Sequence, residues 1–102
     1  MVGPTTTRDG GAVQFALGLP TEQPGHYEEL SSGEAMVELA RAAEDAGMDA
    51  IAVTDHPFPE DRWLRTGGHH AFDPLVALAY VASATSTIKL LTNILVVGYR
   101  KQ

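Results

Sequence analysis

The segment Gly47-Met48-Asp49-Ala50-Ile51-Ala52-Val53-Thr54-Asp55-His56 decides the fold. Gly47 stands where a left-handed helix stop belongs, and Ala50–Thr54 is a short apolar run that breaks into the polar pair Asp55-His56. A helix stop, a link of two or three residues and a short apolar run make the second half of a β/α unit. Working backwards, Ser31 and Glu34 have capping-box spacing and predict a helix start. Met36, Leu39, Ala40, Ala43 and Ala46 then recur at helical spacing, with Glu38, Arg41, Glu44 and Asp45 opposite, so this helix buries one face. Before it lies a loop through Ser32, rich in Pro, Gly, Glu and Ser and carrying His26 and Tyr27. Ahead of that loop, Val13–Leu19 reads as a short buried strand.

Working forwards, Asp55–Ala71 holds two prolines, adjacent glycines, three histidines and the sole tryptophan, and reads as a long irregular loop. Asp73-Pro74 sets a capping carboxylate before a proline at the first helical position. The helix that follows, to Ala84, carries Leu75, Val76, Leu78, Tyr80 and Val81 around nearly its whole circumference, so it should be covered on more than one side. Ile88–Val97 is β-branched and reads as a rather long third strand containing Lys89, Thr92 and Asn93.

The order strand, helix, strand, helix, strand demands a parallel sheet, an arrangement normally buried on both faces. Two helices cover only one face of three strands. A (β/α)8 barrel takes about 250 residues, and two and a half of its repeats fit this length. The expected fold is therefore α/β, the N-terminal β-α-β-α-β portion of a TIM barrel with parallel strands. Residues 1–12 are expected to form a flexible leader, and residues 13–102 a partial, truncated barrel domain.

Composition removes several function classes. With 44% apolar and 20% charged residues the chain lies in the ordinary globular range, and no stretch approaches the roughly 18 apolar residues of a membrane span. Met1 to Gly10 lacks the apolar core of a secretory signal. The absence of cysteine excludes disulfides and thiolate chemistry, and cytoplasm is the expected location. A net charge of −6 has the wrong sign for a phosphate-binding surface, so nucleic acid is not an expected partner.

In parallel β/α folds, ligands lie at the carboxyl ends of strands. The segments to weigh are Pro20–Ser32, Asp55–Ala71 and Tyr99-Arg100. A carboxylate beside an imidazole, as in Asp55-His56, can fix a tautomer or move a proton, although neighbours on extended chain point to opposite sides. The plainer alternative is that Asp55 caps the loop and His56 packs beside Pro57. Trp63 with Phe58 could wall a flat cofactor or plug the barrel mouth. Gly67-Gly68-His69-His70 with Asp73 could be an anion-binding turn or part of a metal cluster. Asp73 is already explained as a helix cap, however, and no third ligand has convincing spacing, so no metal is expected. Asn93 in an apolar strand is either a buried, paired amide or a ligand contact. No nucleotide-binding glycine motif occurs.

Taken together, Thr54-Asp55-His56-Pro57-Phe58-Pro59, Gly67-Gly68-His69-His70-Ala71-Phe72-Asp73-Pro74, Thr92-Asn93-Ile94-Leu95 and Tyr99-Arg100 resemble the bacterial-luciferase-like superfamily, particularly its deazaflavin-dependent oxidoreductases. The helix Glu38-Leu39-Ala40-Arg41-Ala42-Ala43-Glu44 ending at Gly47 fits the same pattern. The resemblance implies hydride transfer to or from coenzyme F420 on a small organic substrate, or monooxygenation with reduced flavin, FMN being the alternative cofactor. It implies that Asp55 and His56 lie beside the cofactor ring, with His56 the proton-transfer partner or the stabiliser of the reacting centre. A non-proline cis peptide at Asn93-Ile94 against the ring is implied as well. Trp63 resembles the active-site tryptophan of some relatives but sits further past the histidine. Full-length members bury the second helix between subunits of a homodimer. The family continues beyond Tyr99-Arg100 into another helix and five strands. The alternatives are therefore a catalytically silent chain that associates through its second helix, or a metal-assisted barrel hydrolase using His56, His69 or His70.

Overall fold

A computed structural model describes residues 12–100 of the chain; apart from Ala12, the expected leader lies outside the described residues. Three strands, β1 (Ala16–Gly18), β2 (Ala50–Val53) and β3 (Lys89–Thr92), form one sheet in the order β1-β2-β3 with both pairings parallel. Leu17, Ile51 and Leu90 lie in register across it. Four helices connect or flank the strands: α1 (Tyr27–Leu30), α2 (Gly33–Asp45), α3 (Asp61–Arg65) and α4 (Pro74–Ala82). Among the described residues no helix is long and apolar enough to cross a membrane.

All three strands are shorter than the apolar runs suggest. The third departs most, ending at Thr92 rather than Val97. Its neighbour among the described residues, β2, is four residues long, so after the Asn93 amide donates to the Val53 carbonyl at 2.7 Å that ladder ends. The peptide between Asn93 and Ile94 is cis, and the chain proceeds to a 3-10 turn at Val97–Tyr99.

The start of α2 is displaced by one residue from the expected one. Ser32 is the cap, its hydroxyl accepting from the Ala35 amide at 3.0 Å, whereas the Ser31 hydroxyl donates to the Thr21 carbonyl and ties α2 to the segment after β1. The C-terminus of α2 behaves as read. Gly47 has φ +84°, its amide donates to the Glu44 carbonyl, and the Met48 amide donates to the Ala43 carbonyl, both at 3.0 Å, which is a Schellman stop. In α4, Asp73 Oδ1 accepts from the Leu75 and Val76 amides at 3.0 and 3.1 Å, and Pro74 occupies the first turn, where a missing N–H is harmless.

The core lies on one side of the sheet. Met36, Ala40 and Ala43 of α2 meet Ala77, Leu78 and Val81 of α4 over Leu19, Ile51, Val53 and Ile88. By alternation along the strands, Ala16, Gly18, Ala52 and Leu91 belong to the other face, where Leu91 is 46% exposed. Within the described residues helix α4 is covered on one side only: Leu75, Val76 and Tyr80 are 49%, 68% and 49% exposed.

Glu44 ties α2 to the segment that leads into β3. Its Oε1 accepts from the amides of Ser86, Thr87 and Ile88 at 2.8, 2.5 and 3.0 Å, fastening the end of α2 to the approach to β3. These bonds, that from Thr87 foremost, lower its pKa from 4.5 to about 2. Because the folded value is depressed, the stabilisation is complete above the unfolded pKa of 4.5 and disappears as pH falls through about 2. Urea unfolding of Glu44→Gln should therefore show a stability deficit against the parent chain at pH 6 that narrows steadily between pH 4.5 and 2. A pH-independent deficit would contradict the role given to the carboxylate.

Candidate functional site

The carboxyl ends of β2 and β3 bring two segments together. Directly after β2, Asp55 turns inward and its side chain is 2% exposed. Oδ2 accepts from the Val96 amide at 2.8 Å and from Arg100 Nη2 at 2.9 Å. Arg100 Nη1 donates to Asp73 Oδ2 at 3.0 Å, while the other oxygen of Asp73 caps α4. One guanidinium thus joins the loop after β2, the segment after β3 and the start of α4. The Val76 amide and then the Arg100 hydrogen bond hold the Asp73 carboxyl below the usual carboxylate range, and the two carboxylates, Asp55 first, raise Arg100 above its ordinary value.

Of the Asp55-His56 pair, only His56 presents its side chain to a ring cluster. It packs on Trp63 with centroids 4.8 Å apart and meets His69 edge to face at 4.7 Å; Trp63 and His69 are 5.3 Å apart. Trp63 is placed by α3, which interrupts the segment expected to be wholly irregular. Asp61-Arg62-Trp63-Leu64-Arg65 contains neither Gly nor Pro and carries its acid at the N-terminal end and its arginines at the other, as a short helix prefers. The prolines, glycines and histidines around it concealed that signal. Phe58 does not join Trp63 in a single wall; it stacks on Tyr99 with centroids 5.2 Å apart. Between the two aromatic groups lies a cleft of about 150 Å³, bordered also by Asp55 and Val96.

The adjacent histidines diverge. His69 turns toward His56, while the His70 amide donates to Tyr27 Oη at 3.1 Å and its ring stands edge-on to Tyr27 at 5.9 Å. Among the described residues no three His, Asp or Glu side chains converge as a metal site. Asn93 is exposed at the end of β3, so it is not a buried amide of the sheet, and Ile94 is 73% exposed beside it.

Sequence reasoning names Arg100 and Asp73 but not the bridge between them and Asp55. Asking what neutralises Asp55, a carboxylate at the end of an apolar strand, points to Arg100. Capping α4 uses one oxygen of Asp73 and leaves the other for the guanidinium. His69 is turned back by Gly67, at φ +108°, and by Gly68, whose amide donates to the Trp63 carbonyl at 2.8 Å.

A parallel α/β sheet with an imidazole and an indole at its strand ends belongs to the class of strand-end ligand sites. Residues 13–101 match the luciferase-like monooxygenase family, and the chain belongs to that family. Among curated relatives it is similar to proteins named F420-dependent glucose-6-phosphate dehydrogenase. The Nocardia farcinica protein is 40% identical over 90 residues, 88% of this chain and 24% of the relative. That of Tsukamurella paurometabola is 42% identical over 65 residues, 64% of this chain and 18% of the relative. The Gordonia bronchialis protein is 38% identical over the same length, with the same coverage. The chain thus spans 18–24% of the length of these relatives.

The close approach at Gly68 can be tested directly. A Cβ there would stand 2.7 Å from the Trp63 carbonyl oxygen and would meet the indole as well, so Gly68→Ala must push the loop away from α3. Overpacking of this kind costs about 1–3 kcal/mol. The emission of the single tryptophan should shift; an unchanged spectrum would show that Trp63 does not pack against this turn.

Proposed function

We propose that this chain supplies the opening strands and helices of a (β/α)8 barrel in a coenzyme F420-dependent oxidoreductase that transfers hydride to or from a small organic substrate. The observation that carries the reading is the packing of His56 on Trp63 beside a cleft at the carboxyl ends of parallel strands, within a chain of the luciferase-like family. The barrel reading is supported by the unequal faces of the sheet. Helices pack on one, while among the described residues the other, which carries Ala16, Gly18, Ala52 and the exposed Leu91, has no helix over it, as the inner face of a barrel has none.

The residues present suit a flat, conjugated cofactor. Trp63, Ile94 and the Phe58–Tyr99 pair offer apolar and aromatic surface, and Asn93 offers an amide beside it. The cleft of about 150 Å³ is smaller than the roughly 300 Å³ at which ligand pockets begin, so further walls belong to other parts of the barrel. His56, Trp63, Asn93 and Ile94 would hold the ring, with Asp55 acting through the loop it anchors. When bound, the deazaflavin supplies a two-electron hydride donor or acceptor at C5. His56 holds or delivers the proton that balances charge at a substrate oxygen, and Trp63 limits the directions from which water approaches it. The names of the relatives make glucose 6-phosphate the first substrate to test.

Cytoplasm, the setting suggested by the lack of cysteine, and homodimerisation belong to the same proposal. The exposed Leu75, Val76 and Tyr80 of α4 favour pairing through that helix.

Joined to the remainder of its barrel, the chain should bind coenzyme F420 in a fluorescence titration in preference to FMN. His56→Ala should lower kcat by about 10²–10⁴, the usual contribution of a positioned proton-transfer group. A complete barrel carrying that substitution with undiminished turnover would remove His56 from the chemistry, and a preference for FMN would overturn the coenzyme assignment.

A further inference from the structure

The least expected neighbour of His56 is His69, thirteen residues on and outside the wall of the strand-end cleft. Its ring is anchored to the main chain, with Nδ1 3.1 Å from the carbonyl oxygen of His70. A carbonyl oxygen only accepts, so Nδ1 carries the proton, and in the neutral ring Nε2 carries the lone pair. The ring of His56 then stands edge to face against this anchored ring at 4.7 Å, with Trp63 closing the triangle. Two of the three rings are held independently of His56: Trp63 by α3, and His69 by the glycine turn and the His70 carbonyl.

We infer that His69 is a positioning residue for His56, a main-chain-anchored ring in the Nδ1–H tautomer that sets the orientation of the His56 imidazole against Trp63. His56 lies on a loop, where a side chain is free to adopt several rotamers unless packed on both sides. Trp63 packs against it and His69 meets it edge to face, so its ring nitrogens present a defined face to the cleft. Removing His69 leaves Trp63 alone and frees the ring to rotate. The functional consequence rests on the proposed role of His56; the tautomer and the packing are properties of this chain alone.

The test uses the 15N-labelled chain and three variants. In long-range 1H–15N spectra at pH 9, His69 should show the Nδ1-protonated pattern. In His69→Ala the ring protons of His56 should move toward free-peptide shifts. His69→Phe keeps the ring and should retain most of the parent's displacement, whereas His69→Asn keeps a donor without a ring and should behave like Ala. In the full-length enzyme His69→Ala should lower kcat by about tenfold to a hundredfold, as a small misplacement of a reacting group does. KM for the coenzyme should stay unchanged, and Phe should restore much of the loss. An Nε2-protonated His69, or His56 shifts indifferent to His69→Ala, would overturn the positioning role. The expected spectra with an unchanged kcat would overturn the role proposed for His56, and with it the functional half of this inference.

Discussion

Between Asp55 and Asp73 a single guanidinium spans elements that the chain's own ladder does not join. The Asp55 side chain is almost wholly removed from solvent, and a buried carboxylate is tolerable only when its charge is met and its oxygens are hydrogen-bonded. Arg100 meets the charge, and the Val96 amide supplies the second bond to the same oxygen. Arg100 itself is 26% exposed in its side chain and uses only its terminal nitrogens, its Nε having no partner among the described residues. Breaking a buried pair by removing one partner costs roughly 3–5 kcal/mol. Partial exposure of the arginine moves the expectation here to the lower end.

What this bridge holds is the shape of the strand ends. The sheet has strands of three or four residues, too short to position the loops beyond them. With the segment after β3 drawn onto Asp55, Tyr99 reaches Phe58 on one side of the cleft, while His56, next to the anchored Asp55, turns to Trp63 and His69 on the other. The same guanidinium reaches Asp73, so the site and the start of α4 share one electrostatic anchor. Arg100 therefore shapes the cleft through Asp55, which borders it together with His56 and Trp63.

Much of this was legible in the residues. Alternation of short apolar runs with capped amphipathic stretches foretold the three parallel strands and the helices α2 and α4, because those patterns report burial, which is a local property of the sequence. Asp73-Pro74 announced its helix for the same reason. The cis peptide at Asn93–Ile94 came from family resemblance, since nothing in the local chemistry of Asn-Ile marks it. The errors share a cause. Spacing points to Ser31 rather than Ser32 as the cap, because it cannot tell that the Ser31 hydroxyl is engaged by Thr21. Composition carries the third strand to Val97, because it does not reveal that the partner strand stops. The ring cluster and the Asp55–Arg100–Asp73 bridge join positions up to 45 residues apart, and side-chain pairing at that distance leaves no periodic trace.

The most direct measurement is a double-mutant cycle on Asp55→Asn and Arg100→Gln, with stability read by urea unfolding at neutral pH. If the bridge anchors the strand ends, the two substitutions are strongly non-additive, with a coupling free energy above about 1 kcal/mol, within the range for residues sharing one ionic network. Additive effects would mean that the pair contributes nothing as a pair, and that the strand-end site is held together by something else.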